Sequence, residues 1–352
     1  MTTTNLRLPR LADLSLAEVE GIRLLLRGGS VIDWHRLNFA DAIEIERFIQ
    51  AQELDLESEV DCRRIDEVRD AAIDFLKAQF NFPVPKPVAR KSLPELLELA
   101  SSKGHRQLCA CAILKVMHII HHLEARELLF SLPVSDEDVF HLVENKVYRL
   151  MGEALSSGVP VVEFIGGRKN KTSLYTKLLS KTEATAAQIY DKVRFRIVMR
   201  TVDDIFPMLT LLQRRVFPFS FVIPGQSTNT LIPFYRYCSE RKSLRNHLAS
   251  LQLPFDIEDE FSSIDNRFTA PSYRVVHFVV DMPLRIPESW RASAPDVVDR
   301  LGHVVFVQTE FQVLDEISDR QNEESEASHS AYKDRQKLAV ARRLKVGLGN
   351  RS

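Results

Sequence analysis

The chain has 352 residues, 45% hydrophobic and 27% charged, a length that suits two ordinary domains and a composition that excludes disorder as the default. A formal net charge of −1 and a pI near 6.8 exclude a generic binder of nucleic acid or membrane surface, which carries a large basic excess, so any anion site must be local. Cys62, Cys109, Cys111 and Cys238 form no CxxC pair and are too sparse for a disulfide framework. Together with a first ten residues lacking a signal-like apolar stretch, and no uninterrupted run of about 18 apolar residues, they point to a cytoplasmic protein with no membrane segment.

Residues 14–82 read as helical, with Leu16, Val19, Ile22 and Leu25, and later Ile65, Val68, Ala72, Ile73 and Leu76, at spacings of three and four. Pro83, Pro85 and Pro87 forbid continued helix and predict a linker or docked extended segment. Helix resumes at Ser92, a good N-cap, with Pro94 tolerated early in the first turn. A long apolar helix over 108–129 carries His118, His121 and His122. The His118/His122 spacing could hold a metal, but the HExxH carboxylate is missing and no third ligand is evident, so packing is the preferred reading. A further helix runs from Ser135 through Met151.

Beyond residue 160 the periodicity changes. Residues 161–165 read as a strand, 166–172 as a glycine-and-base loop and 173–179 as a helix. From Arg168 to Arg200 nine Lys/Arg stand against Glu183 and Asp191, a local cationic excess able to hold several phosphates. In strand 193–199, Val193, Phe195, Ile197 and Met199 share one face while Arg194 and Arg196 share the other with Arg200 beyond. An amphipathic helix follows Asp203-Asp204, and 217–268 is irregular apart from a basic helix near 240–251. Strands are expected at 273–281 and 304–314, followed by a C-terminal helix. In the last strand Val305, Val307, Phe311 and Val313 alternate with Gln308, Glu310 and Gln312, so a carboxylate stands in a polar row opposite an apolar one.

Five blocks in this order resemble the synthetase domain of the RelA/SpoT family of alarmone synthetases. They are Arg168-Lys-Asn-Lys-Thr-Ser-Leu-Tyr-Thr-Lys177, similar to the family's basic phosphate loop; Asp191 with Arg196 on the strand after it; Ser272-Tyr-Arg-Val-Val-His277; Thr309-Glu-Phe-Gln312; and Glu323 with His329-Ser-Ala-Tyr-Lys333. The resemblance spans about residues 161–333. It implies a nucleotidyltransferase-like mixed β-sheet flanked by helices over 156–335; with the helical pattern before it, a domain of unassigned role over 1–155, and a basic tail over 336–352, the chain reads as an α+β protein.

The chemistry so implied is transfer of pyrophosphate from ATP to a ribose 3′-hydroxyl of a guanine nucleotide. The resemblance makes Asp191 and Glu310 the Mg²⁺ pair, with Glu310 alternatively the base for the hydroxyl. Arg168, Lys169, Lys171, Ser173, Lys177 and Arg196 would hold ATP, and Tyr273, His277 and Gln312 the acceptor. Transfer at phosphorus needs positioning and charge neutralisation, which hard oxygen ligands on Mg²⁺ and a cluster of bases supply. Departures stand beside the match: Ser272 replaces a glycine, and Leu314-Asp315 stands where the family has Arg-Thr. A turnover-deficient nucleotide-binding regulator, an adenine-nucleotide acceptor and a tRNA 3′ end therefore stay open as readings. The helical half is a candidate surface for a second copy or a protein partner.

Overall fold

Alternation and periodicity place the elements largely where the chain pattern puts them. The computed structural model describes residues 6–29, 32, 34–168, 171–180, 193–251, 272–324 and 329–345. Helices α1 (Leu16–Arg27), α2 (Ala42–Gln50), α3 (Glu59–Phe80), the short α4 (Lys86–Ala89), α5 (Leu93–Ser101), α6 (His105–Ser131) and α7 (Asp136–Ser156) come first. Then follow β1 (Val161–Arg168), α8 (Lys171–Ser180), β2 (Val193–Met199), α9 (Ile205–Arg215), β3 (Thr228–Asn229), α10 (Phe234–Ser239) and α11 (Lys242–Leu251). The chain continues with β4 (Val276–Arg285), α12 (Glu288–Ser293), α13 (Pro295–Leu301), β5 (Val304–Asp315), α14 (Glu316–Glu324) and α15 (His329–Lys345). The fold class is α+β, as expected.

Local chemistry fixes the helix ends. Ser15, Ser92 and Ser135 each build a reciprocal capping box with the acid three residues on, so two otherwise orphaned backbone donors find partners at each start. Asn81 ends α3 in the left-handed region at φ 49°, which asparagine tolerates better than most residues. The proline segment after it holds the short α4 rather than staying fully extended.

The strands form one mixed sheet in the order β1-β2-β5-β4-β3. β2 and β5 run parallel; every other pair is antiparallel. One face is dry: Phe195, Phe311 and Phe278 lie on adjacent strands with ring centroids 5.5 Å apart in each pair, all fully buried. Helices α7 and α9 supply buried side chains to this core, as does α1. Although α1 and α7 fall in the helical half by chain order, their apolar stripes therefore belong to the sheet's core. A second core is built from α2, α3, α5 and α6 with Trp34 and Leu37.

β1 runs on through Gly166 and Gly167 to Arg168, three residues further than the strand expected at 161–165. A Cβ on Gly166 would lie 2.6 Å from the Tyr148 ring and 2.8 Å from Phe195, so the glycine lets β1 press against α7 rather than turn away.

The other sheet face is divided along its length. Toward the start of β5, Val304 and Phe306 are covered by α6, with Phe306 4.4 Å from His122, 5.1 Å from His121 and 4.8 Å from Phe221 between ring centroids. By length and composition α6 could cross a membrane; here it is the wall between the second core and the sheet. Polar contacts lock the same region. Arg285 of β4 donates two hydrogen bonds to buried Asp61 of α3, at 2.7 and 3.1 Å, and a third to the Glu53 carbonyl at 2.9 Å. Lys146 of α7 bonds both the Glu53 carboxylate, at 2.5 Å, and the Pro283 carbonyl, at 2.8 Å.

Asp281 of β4 faces α6 in this covered zone, 3.6 Å from His122. Burial pushes its carboxyl up to about 6, with Arg126 pulling the other way. Burial also holds His118 and His121 at about 4 and His122 well below its usual value, so the imidazoles are neutral where Asp281 titrates. Because the folded value lies above the unfolded one, the Asp281 contribution favours folding below the ordinary carboxylate range and is lost as pH rises through about 6. Urea unfolding of Asp281→Asn should show it about 2–3 kcal/mol more stable than wild type at pH 7.5, with the gap closing toward pH 4.5; a gap that does not change with pH contradicts the assignment.

Candidate functional site

Beyond the part covered by α6, that same face carries the polar row. In register, Arg194 of β2 stands opposite Glu310 and Arg196 opposite Gln312, while on β4 His277 stands opposite Gln312 and Val279 opposite Glu310. Strand partners in register share a face, so Arg194, Arg196, Glu310, Gln312 and His277 come together. Glu310 is only 6% exposed. Its Oε1 accepts a 2.7 Å hydrogen bond from Gln312 Nε2 and lies 3.3 Å from His277 Nε2. A carboxylate buried at this depth, held by an amide two residues along and ringed by cationic or protonatable groups, is arranged to stay in place rather than to solvate.

Tyr273 closes one side of the site. It precedes β4, which starts at Val276 rather than at Tyr273, because the intervening backbone is taken by other partners. Asn322 of α14, 1% exposed, accepts from the Arg274 amide and donates to its carbonyl, both at 2.9 Å. Thr230 Oγ1 accepts from the Val275 amide and donates to the Tyr273 carbonyl. Burial raises the Tyr273 hydroxyl's pKa, with Arg196 and Arg194 pulling down and Glu310 and Glu323 pushing up, so the ring sits within the field of the row.

Helix α14 forms the rim. Its Asp319 pairs with Arg196, and Asp315 caps it by accepting from the Ile317 and Ser318 amides. Leu314, where the resemblance leads one to expect arginine, is fully buried in register with Val198, so the polar row ends at Gln312.

Not every expected residue arrives here. Arg168 pairs in register with Val193 on the dry face, so it projects toward α7. There it bonds Glu144 at 2.8 and 3.0 Å and Glu137 at 3.2 Å, and lies over the Phe140 ring. Arg168, expected to hold phosphate, is thus paired with two carboxylates on α7, on the side of the sheet away from the polar row. Asp191 and Lys169 lie outside the described residues, as do the side chains of Lys171, Ser173 and Lys177 on α8. Arg194 reads in the sequence only as part of the cationic face it shares with Arg196, with no role of its own; Asp319 and Asn322 are not singled out in the sequence, since they act through contacts spanning 123 and 48 residues that no local spacing reveals.

No protein-family model matches the chain, and no curated protein matches it significantly. Among solved structures it is similar to the small alarmone synthetase 1 from Bacillus subtilis, with 15% identity over 60% of this chain and 87% of that one at a TM-score of 0.32. It is also similar to the small alarmone synthetase 2 from Bacillus subtilis (14%, 61% and 95%, TM-score 0.33) and to a GTP pyrophosphokinase family protein from Streptococcus pneumoniae (14%, 59% and 84%, TM-score 0.29). Likenesses this distant assign no residue, so roles are read from the site itself.

Replacing Asn322 by alanine should cost about 2 kcal/mol, the worth of two buried hydrogen bonds at about 1 kcal/mol each. Hydrogen exchange at the Arg274 amide should accelerate while exchange in β5 stays slow; unchanged protection at Arg274 would show that the segment holding Tyr273 is anchored elsewhere.

Proposed function

We propose that the polar half of the sheet face binds a nucleoside triphosphate and transfers pyrophosphate from ATP to the ribose 3′-hydroxyl of a guanine nucleotide. The observation that carries this reading is Glu310: a buried carboxylate, oriented by Gln312, facing His277 and set opposite Arg194 on the neighbouring strand. The ordered resemblance of five sequence blocks to alarmone synthetases supplies the reaction class.

In this reaction the acceptor 3′-oxygen attacks the β-phosphorus of ATP. The bond from that phosphorus to the α–β bridging oxygen breaks, and AMP leaves with the bond's electrons. Glu310 accepts the hydroxyl proton, directly or with His277 as its 3.3 Å relay. Arg194 and Arg196 balance charge on the phosphates, and Tyr273 offers an aromatic face for a base to stack on. Among the described residues no three His, Cys, Asp or Glu side chains cluster as a self-sufficient metal cage. Mg²⁺ does not need one, because one or two carboxylates with water and substrate phosphates complete its shell; Asp191 from the adjoining sequence would hold it, joined by Glu310 in the alternative where Glu310 is a ligand rather than the base. When bound, the ion would neutralise phosphate charge.

The assay is AMP release from labelled ATP with Mg²⁺ and GDP or GTP, with adenine nucleotides and tRNA as competing acceptors. Glu310→Gln is nearly isosteric and should lower the rate about 100-fold or more, the scale of losing a general base, with little change in melting temperature. Equal rates for wild type and variant rule out the role.

A second reading, binding without turnover, is favoured by one observation: Arg196 is neutralised by Asp319 of this same chain. On that reading Asp319→Asn releases Arg196 and tightens ATP binding about tenfold without AMP release, an increment of about 1.4 kcal/mol. Calorimetric titration of both proteins decides it, and an unchanged affinity removes the autoinhibitory pair from the account.

A further inference from the structure

The helical half contains a cavity of about 90 Å³ that the transfer reaction does not use. Trp34, Phe48, Leu97, Leu114 and Phe219 give it an apolar lining, and Phe219 comes from the turn before β3, so both halves of the chain enclose it. Its volume equals about three water molecules, or as many methylene groups, room for a short acyl chain.

The charged groups in its wall differ in how they are held. Arg64 already carries two carboxylates, Glu67 and Glu124. His118 and His121 are neutral near pH 7 because burial holds both near 4. Lys115 lies over the Trp34 ring, 4.9 Å from its centroid, with a ring where Arg64 has acids. An apolar chamber with an ammonium group in its wall is complementary to a small amphiphile of opposite charge.

We propose that this cavity is a binding site for a short-chain monocarboxylate, its acyl chain among Trp34, Leu97 and Leu114 and its carboxylate paired with Lys115. Burying about three methylenes at about 0.8 kcal/mol each, with an ion pair of about 1 kcal/mol, corresponds to millimolar affinity. The site has a physical link to the sheet: His121 lines the cavity and meets Phe306 edge-on at 5.1 Å, four residues before Glu310 on β5. The proposal does not depend on the transfer reaction.

The full chain contains two tryptophans, so a Trp290→Phe background leaves Trp34 as the only indole reporter. Its fluorescence is titrated with sodium butyrate, whose three-carbon chain matches the chamber, and, as the uncharged control of equal chain length, with n-butanol. Saturable butyrate binding about fivefold or more tighter than butanol is expected, since an ion pair of about 1 kcal/mol corresponds to that ratio. Lys115→Met, which nearly keeps the length and removes the charge, should erase the preference for butyrate while butanol binds as before. Leu97→Phe, filling the chamber, should abolish both signals with the melting transition intact. No saturable signal up to tens of millimolar, equal affinity for the two probes in the parent, or a preference that survives Lys115→Met overturns the proposal. Should Leu97→Phe fail to fold, the Lys115→Met comparison decides alone.

Discussion

Thr309 and Phe311 are both fully buried in the dry core of the sheet, and strand geometry then forces Glu310, between them, onto the opposite face. The rest of the molecule is arranged around that carboxylate. A buried acid needs partners: Gln312, two residues along, donates to it, His277 of β4 lies 3.3 Å away, and Arg194 of β2 stands opposite it in register. Slipping β5 by one residue would turn Phe311 to the polar side and Glu310 into the aromatic stack. The Phe195–Phe311–Phe278 packing therefore holds the site's register as well as the fold's stability.

Toward the start of β5 the same face needs a cover. Phe306 lies four residues before Glu310 and would be an exposed aromatic without α6. The ionic knot of Asp61, Arg285, Glu53 and Lys146 ties α3, α7 and β4 together beside this cover. Burial alone would push the Asp61 carboxyl up, yet the Arg285 hydrogen bonds and the Asp55 amide outweigh it and hold it below the ordinary range. Such a buried pair contributes little net stability over an apolar replacement, but breaking one partner is expensive, which makes it a device for specifying how elements meet. The helical half is thus a structural wall of the sheet as well as a body with its own core.

Much of this was legible in the chain. Period-two alternation marked β2 and β5 and put Arg196, Glu310 and Gln312 on one face; period 3.6 and capping residues marked most helices. What could not be read depended on distant partners. Arg168 follows two glycines and precedes lysines, which is how a phosphate loop looks, but Gly166 instead lets β1 continue under Tyr148, and Glu144 of α7 takes the guanidinium. Tyr273 looked like the start of a strand, while Asn322 and Thr230 hold that backbone off the ladder. The apolar stripes of α1 and α7 show a buried face but not which core receives it.

The central claim is that one sheet face is split into a packed half and a nucleotide-binding half, with the division falling between Phe306 and Glu310. Hydrogen exchange of the wild-type protein with and without Mg²⁺ and a non-hydrolysable ATP analogue tests it directly. The account predicts added protection at 194–196, 273–277 and 310–312 and none at 304–306 or 281–285. Protection confined to the covered half, or to no part of the sheet, would contradict it.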